Sequence, residues 1–206
     1  TLEHFAHEMI EFIGGPAALR QNDPVLVVLS IMAEPDRWTE QPIIWLPSAN
    51  VRKALGVPPD VTHLSRQEVK QHLGLQEAVV ALSSRTANGR ALTQLDRELL
   101  GVHGRRVALD TLLEQTLYLV PPTPTNNAWQ PILLPTGYPD MTQAALKRAW
   151  AEVLAAVRSE QLEQFNDAGI RMVRLLENLT PDSPGAQWSS PTAPYMVSRS
   201  SVGQRF

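Results

Sequence analysis

The chain contains no cysteine among its 206 residues. Disulfide frameworks, cysteine-based zinc sites and cysteine nucleophiles are therefore excluded. It also lacks a long apolar run, because the longest, VLVVLSIMA over residues 25–33, is far too short to cross a bilayer. The first residues have neither the basic nor the apolar region of a secretory signal. We therefore expect no membrane partner, no larger precursor, and a location in the cytoplasm or inside a particle such as a virion.

The common catalytic and cofactor signatures are missing too. The sequence holds no glycine-rich phosphate loop, no GxSxG elbow, no HExxH and no EF-hand loop. We therefore expect a protein that is not an enzyme and that has no cofactor or metal. An enzyme with a site built from scattered residues remains an alternative, and its first suspect is the region of His4 and His7. Because Phe5 and Phe12 mark the apolar stripe of this segment, we expect both histidines to face water.

Charge is unevenly distributed along the chain, although the net value is only −3. Residues 51–110 hold nine Lys and Arg against six acidic residues, whereas residues 1–50 hold two against seven. A protein with a general affinity for phosphate backbones would be more basic than this. Residues 51–110 remain a candidate for local contact with nucleic acid, and uneven scatter of charge is the simpler interpretation.

Helical spacing of apolar residues predicts a mainly α protein with at most a few short strands, around residues 25–46 and 116–134. The run 25–33 is interpreted as a buried strand or a buried helix. Helices are expected over residues 2–13, 48–56, 65–74, 93–101, 105–119 and 141–178, the last with a break at 159–161 or 166–169.

Cap chemistry supports these boundaries. The sequence predicts N-caps at four positions, two of them with a glutamate or glutamine three residues later: Ser48, Ser65 with Glu68, Thr93, and Asp140 with Gln143. Gly56, Gly74 and Gly101 each follow a leucine and precede an apolar residue. That pattern predicts a left-handed glycine at the end of three helices.

Proline divides the chain. We predict a helical domain over residues 1–120, a proline-rich linker or loop over 121–140, a long helix or helical hairpin over 141–179, and an extended arm over 180–206. The last segment holds four prolines and six serines. It also offers aromatic and apolar anchors, so we expect it to lie across its own domain or across a neighbouring subunit. The candidate partner contacts are Trp129, Trp188, Tyr195, Met196 and Phe206.

One stretch, SRQEVKQHLGLQEAVVAL over residues 65–82, resembles the helix-turn-helix of bacterial DNA-binding proteins. Gly74 occupies the turn, and apolar residues surround it at Val69, Leu73, Leu75, Val79, Val80 and Leu82. Lys70 stands where the pattern has a small residue, and Ser83 where it has an apolar one. A packed helical hairpin is therefore the alternative, and the one that we favour.

The resemblance implies a second helix that enters the major groove. The side chains available to contact nucleic acid are then Gln76, Ser84, Arg85, Arg90, Arg105 and Arg106.

Taken together, these features favour a non-enzymatic structural or interaction subunit of a larger assembly, for which a viral particle or a nucleoprotein complex is a suitable setting. Its partners would be other protein subunits, identical or different. A DNA-binding or regulatory protein that uses residues 65–85 is the alternative.

Overall fold

The computed structural model describes residues 2–18, 23–123 and 125–179. Within these ranges the protein is mainly α, which confirms the predicted fold class. The helices are α1 (Leu2–Gly14), α2 (Pro24–Ala33), α3 (Pro35–Glu40), α4 (Ala49–Ala54), α5 (Arg66–Gln71), α6 (Leu73–Ala87), α7 (Gln94–Leu113), α8 (Asp140–Arg158) and α9 (Leu162–Glu177).

Two small antiparallel sheets complete the described structure. Strand β1 (Ile44–Trp45) pairs with β2 (His63–Leu64), and β3 (Tyr118–Val120) pairs with β4 (Gln130–Pro131). Short strands were predicted around residues 25–46 and 116–134. The position of β1 confirms the first of these predictions, and the positions of β3 and β4 confirm the second.

The apolar run 25–33 is a helix, which is the second of the two interpretations that its sequence left open. Asp23 caps α2, and its carboxylate accepts hydrogen bonds from the backbone N–H groups of Val25 and Leu26 at 2.8 and 3.1 Å. Pro24 occupies the first helical turn, where its missing N–H costs nothing. Burial against α1, α7 and α8 then overrides the strand preference of the valines.

Three of the predicted N-caps are confirmed, and one is wrong. The side chains of Ser48, Ser65 and Thr93 accept the expected backbone hydrogen bonds, and Ser65 and Thr93 form complete capping boxes. Asp140, in contrast, is already the first residue of α8. Pro139 precedes it at the cap position and makes no side-chain cap bond.

The glycine caps are confirmed at one position out of three. Gly56 follows α4 with a φ of +63°, in the left-handed region. Gly74 instead lies inside the first turn of α6. Gly101 lies inside α7, which starts at Gln94 as predicted but does not stop there. The predicted helix 105–119 also ends early, because α7 stops at Leu113 and β3 follows.

Of the two glycines inside α7, Gly101 makes room for a side chain. A Cβ on Gly101 would lie 3.0 Å from Nη1 of Arg105, and a Cβ on Gly104 would lie 3.5 Å from Cζ of Phe12. An interior glycine costs a helix roughly 1 kcal/mol relative to alanine. At Gly101 that cost is offset by a close approach that a larger residue would obstruct.

The predicted long helix is broken into a hairpin. Helices α8 and α9 pack against each other and are joined at Ser159–Gln161, with Glu160 at a φ of +54°. The break is the one expected at 159–161, whereas α9 runs without interruption through Asn166–Gly169.

Buried side chains from both ends of the described chain belong to a single apolar cluster. Ile13 of α1, Ile31 of α2, Leu109 of α7 and Leu146 of α8 are all members of it. The segment 141–179 therefore shares its core with the first 120 residues, and the predicted division into domains stays a prediction. None of the helices in the described ranges combines the length and apolarity that a bilayer crossing requires.

The proline-rich segment 121–140 is held by its own hydrogen bonds. The buried Gln130 accepts at Oε1 from the backbone N–H and the hydroxyl of Thr136. The Tyr138 hydroxyl donates to the carbonyl oxygen of Pro121 at 2.7 Å. Ile132, between these groups in sequence, is fully buried. The segment is therefore a packed loop over its described residues. The predicted arm, 180–206, lies outside the described residues.

Two glycine substitutions should change stability in opposite directions. Gly169→Ala should raise the free energy of unfolding by about 1 kcal/mol, because this position lies within α9 and a Cβ would meet nothing within 4 Å. Gly15→Ala should lower it by more than about 1 kcal/mol. Gly15 has a φ of +76°, and its Cβ would lie 2.6 Å from the Trp45 ring. Urea unfolding of both variants measures the difference, and a neutral Gly15→Ala would contradict the packing described.

Candidate functional site

Arg105 is stacked between two aromatic rings. Its guanidinium carbon lies 5.3 Å from the ring centroid of Phe12 and 5.2 Å from that of Trp45, distances typical of cation–π contacts. Nε and Nη1 are buried and have no hydrogen-bond partner among the described residues. Burial lowers the pKa of Arg105 below its ordinary value, and the charge of Glu98 opposes that shift. This candidate nucleic-acid contact therefore links α1 and β1 to α7.

Arg106 is paired within the protein as well. Its guanidinium donates to Asp110 one turn later, and the same carboxylate accepts from Arg66 of α5. Arg66 also lies 3.7 Å from Oε1 of Glu114. The side chains of Arg106 and Asp110 are largely buried. This network ties α5 to α7 and leaves little of the Arg106 charge for an outside partner.

The remaining candidates for nucleic-acid contact are at exposed positions on α6 and just after it. The Gln76 amide donates to the carbonyl oxygen of Lys70, and the Ser84 hydroxyl donates to that of Val80 at 3.1 Å. Arg85 lies 3.9 Å from a carboxylate oxygen of Asp96. Arg90 is exposed in the loop after α6. Of the six candidates for nucleic-acid contact, four therefore lie at the surface, whereas Arg105 and Arg106 make contacts inside the protein.

The junction of α5 and α6 is made by His72 rather than by Gly74. Nδ1 of His72 accepts from the backbone N–H of Leu75 at 3.2 Å and caps α6. Nε2 lies 2.6 Å from the carbonyl oxygen of Leu55, next to the cap of α4. Since a neutral imidazole has one acceptor and one donor nitrogen, these two contacts define its tautomer. The helix pair of the resemblance is present, with a turn of a single residue.

The acidic N-terminal helix has the arrangement expected of a solvated face. His4 lies 3.4 Å from Glu8, and His7 lies 3.8 Å from Glu11, each pair one turn apart with largely exposed side chains. Across the described ranges, no group of three or more His, Asp or Glu side chains is arranged to hold a metal ion.

Of the candidate partner contacts, only Trp129 is among the described residues. It is half-buried in the loop 121–140, close in sequence to Asn126, whose amide donates to the hydroxyl of Thr136 at 3.2 Å. Trp188, Tyr195, Met196 and Phe206 lie outside the described residues. The loop itself is thus a stable platform for the Trp129 side chain.

The structure shows an apolar stripe on α9 that the sequence reasoning missed. Leu162, Ile170 and Val173 are 70%, 51% and 54% exposed. Leu162 and Val173 are eleven residues, or three helical turns, apart and so lie on one side of the helix. The opposite side of α9, with Ala168 and Met172, is buried against α8. We call Leu162, Gly169, Ile170 and Val173 the α9 stripe.

A sequence signal for the α9 stripe exists. A helix that packs on one neighbour needs an apolar face of little more than a quarter of its circumference. In the α9 sequence the apolar positions cover about twice that arc, because Leu162, Ile170 and Val173 extend the face of Phe165 and Met172. The excess width is the feature that indicates a second contact.

The pH dependence of stability should include a contribution from His103. Its pKa is lowered from 6.5 by burial and by the charge of Arg106, while Asp110 opposes the shift. Below pH 6.5 the unfolded chain therefore takes up a proton before the folded protein does, and the free energy of unfolding falls. This decrease in the free energy of unfolding is complete once the pH lies below the pKa of His103 in the folded protein.

His103→Gln should remove this contribution and flatten the stability curve between about pH 7 and about pH 5. Urea unfolding of both proteins across that range measures it. All other histidines are common to both proteins, so an unchanged slope in the variant would contradict the assignment to His103.

Neither a protein-family model nor a curated protein sequence matches this chain.

Proposed function

We propose that the chain is a non-enzymatic subunit of a larger assembly and that it binds a neighbouring subunit through the α9 stripe. The supporting observation is the exposure of Leu162, Ile170 and Val173 on one side of a helix whose other side is already packed. Burying an apolar side chain of this size fully contributes about 1.5–3 kcal/mol. Three such side chains on a single stripe supply an attractive surface for a partner.

The shape and charge of the stripe favour a helical partner. Gly169 lies between the exposed apolar residues, and a Cβ there would meet nothing within 4 Å, so a second helix can approach the backbone closely. Glu163 borders the stripe on its solvent side, near its start. A partner helix with apolar residues on one face and Lys or Arg beside them would complement it.

The proline-rich loop and the residues after α9 would add to this contact. Trp129 presents an aromatic side chain at a half-buried position, which suits the rim of an interface. Arg171 and Glu152, 2.9 Å apart, join α9 to α8 and hold the hairpin as a unit behind the stripe. A virion or a nucleoprotein complex is the kind of assembly in which we place it.

A photo-crosslinking residue introduced at Val173 or at Leu162 of the full chain, in its native cells, should give an adduct with the same protein from both positions. The mass of the adduct tells whether the neighbour is a second copy or a different subunit. Matched controls are Leu26 and Val80, which are 49% and 69% exposed on α2 and α6. These positions should give no such adduct.

Val173→Asp should abolish the adduct formed from position 162, because a carboxylate cannot be buried against an apolar partner. Equal crosslinking from the stripe and from the two control positions would overturn the proposal, and so would an adduct that survives Val173→Asp.

The alternative is a DNA-binding protein that uses α5 and α6. The observation in its favour is the exposed end of α6, where Ser83, Ser84 and Arg85 are followed by Arg90 without an intervening acidic residue. Against it, Arg85 is near Asp96, and both Arg105 and Arg106 are engaged inside the protein.

Fluorescence anisotropy of a labelled DNA duplex distinguishes the two functions. If the protein binds DNA through α6, the affinity should fall steeply as the salt concentration rises. It should also be lost in the double variant that combines Arg85→Ala and Arg90→Ala. We expect no binding at low salt. Lys147→Ala with Arg148→Ala, on α8, is the control for a general loss of positive charge.

A further inference from the structure

Asn88 and Gly89 form the only Asn-Gly pair in the sequence, and they end α6 at the protein surface. Both residues are exposed, as is every residue from Ser83 to Arg90. Within the described chain the Asn88 side chain makes no hydrogen bond or ion pair. A Cβ on Gly89 would meet nothing within 4 Å. We propose that Asn88 is a site of spontaneous covalent modification, at which deamidation through a cyclic imide produces aspartate and isoaspartate.

The reaction needs only water and hydroxide. Hydroxide removes the proton from the backbone nitrogen of Gly89, and this nitrogen forms a bond to Cγ of Asn88. The bond between Cγ and Nδ2 breaks, and the side-chain nitrogen leaves as ammonia after taking a proton from water. Water then opens either carbonyl of the five-membered imide. The product is aspartate, or isoaspartate in which the chain runs through the former side chain.

Glycine at position 89 is what allows the attack, because it carries no Cβ to obstruct its own nitrogen and rotates freely. The folded cap slows the reaction without preventing it. Asn88 has a ψ of 10°, and the backbone N–H of Gly89 donates to the carbonyl oxygen of Thr86 at 3.0 Å. That hydrogen bond must open first, and an exposed helix end with few contacts opens readily.

Other asparagines provide a contrast within the same molecule. The Asn126 amide is held at both ends, with Nδ2 donating to Thr136 and Oδ1 accepting from the backbone of Ala128. Asn127 and Asn178 are exposed, but alanine and leucine follow them. Their neighbours carry a Cβ that hinders formation of the imide. The geometry therefore singles out Asn88.

Modification would change both charge and backbone at the end of α6. The formal net charge would become one unit more negative than −3. The new carboxylate would lie beside the last carbonyl groups of the helix, where negative charge is unfavourable. Isoaspartate also lengthens the main chain by one atom, which disturbs the bonds from Gly89 to Thr86 and from Arg90 to Arg85, at 3.0 and 3.1 Å. The loop that carries Arg90 would then detach from α6.

The test is incubation of the full chain at mildly alkaline and at mildly acidic pH, followed by peptide mass mapping. We expect position 88 to lose its amide first and faster at alkaline pH, while Asn127 and Asn178 keep theirs. Isoelectric focusing should show one new, more acidic band that migrates with Asn88→Asp, and Asn88→Gln should not form it. Loss of the amide at position 88 no faster than at 127 and 178 would overturn the proposal.

Hydrogen exchange then distinguishes aspartate from isoaspartate at position 88. The Asn88→Asp variant has a normal backbone, so the Arg90 amide should keep its protection, whereas the incubated wild-type protein should lose part of it. Methylation by an isoaspartyl methyltransferase should label the incubated wild type strongly and the incubated Asn88→Asp variant more weakly, because its Asp-Gly pair forms the same imide more slowly. The Asn88→Gln variant should stay unlabelled. An unlabelled wild type after the acidic band has formed would contradict the cyclic intermediate.

Discussion

Helix α7 packs against α1–α6 and β1, and it has to remain helical through two glycines to do so. Gly101 leaves space for the Arg105 guanidinium, whereas a Cβ on Gly104 would make only an ordinary van der Waals contact with the Phe12 ring. Arg105 in turn lies between Phe12 and Trp45, which joins α1 and β1 to the same helix. A glycine inside a helix normally weakens it. At Gly101 this cost is offset, because a larger residue there would displace the Arg105 guanidinium.

The contacts of α7 bear on the interpretation of the basic residues between 51 and 110. Arg105 and Arg106 are adjacent in sequence and resemble a phosphate-binding pair. One is stacked between aromatic rings and the other shares Asp110 with Arg66. Arg105 thereby holds α1 and β1 against α7, and the pair of Arg106 and Asp110 holds α5 against the same helix. An apolar surface without a counterpart among the described residues lies on α9, where Leu162 and Val173 face away from the core.

The parts of the fold that could be predicted are those set by neighbours in sequence. Ser65 with Glu68 forms a capping box whatever the rest of the chain does, because every partner lies within one turn. Gly56 adopts the left-handed cap because its helix is short and nothing beyond it continues the pattern. Gly101 stands in the same Leu-Gly-Val sequence as Gly56. It stays helical because no proline follows it within α7, whereas Pro58 and Pro59 follow Gly56 and prevent its helix from continuing.

The sequence by itself determined that the protein is mainly helical and where several helices begin. These features follow from periodicity and cap chemistry, which act over a few residues. Only the tertiary structure decided that residues 25–33 are helical, that His72 makes the turn before α6, and which charges are exposed. Each of these depends on side chains brought together from distant positions, where burial outweighs local preference. The sequence of α9 shows that its apolar face is wider than one contact needs. Only the packing of α9 on α8 shows which part of that face stays exposed.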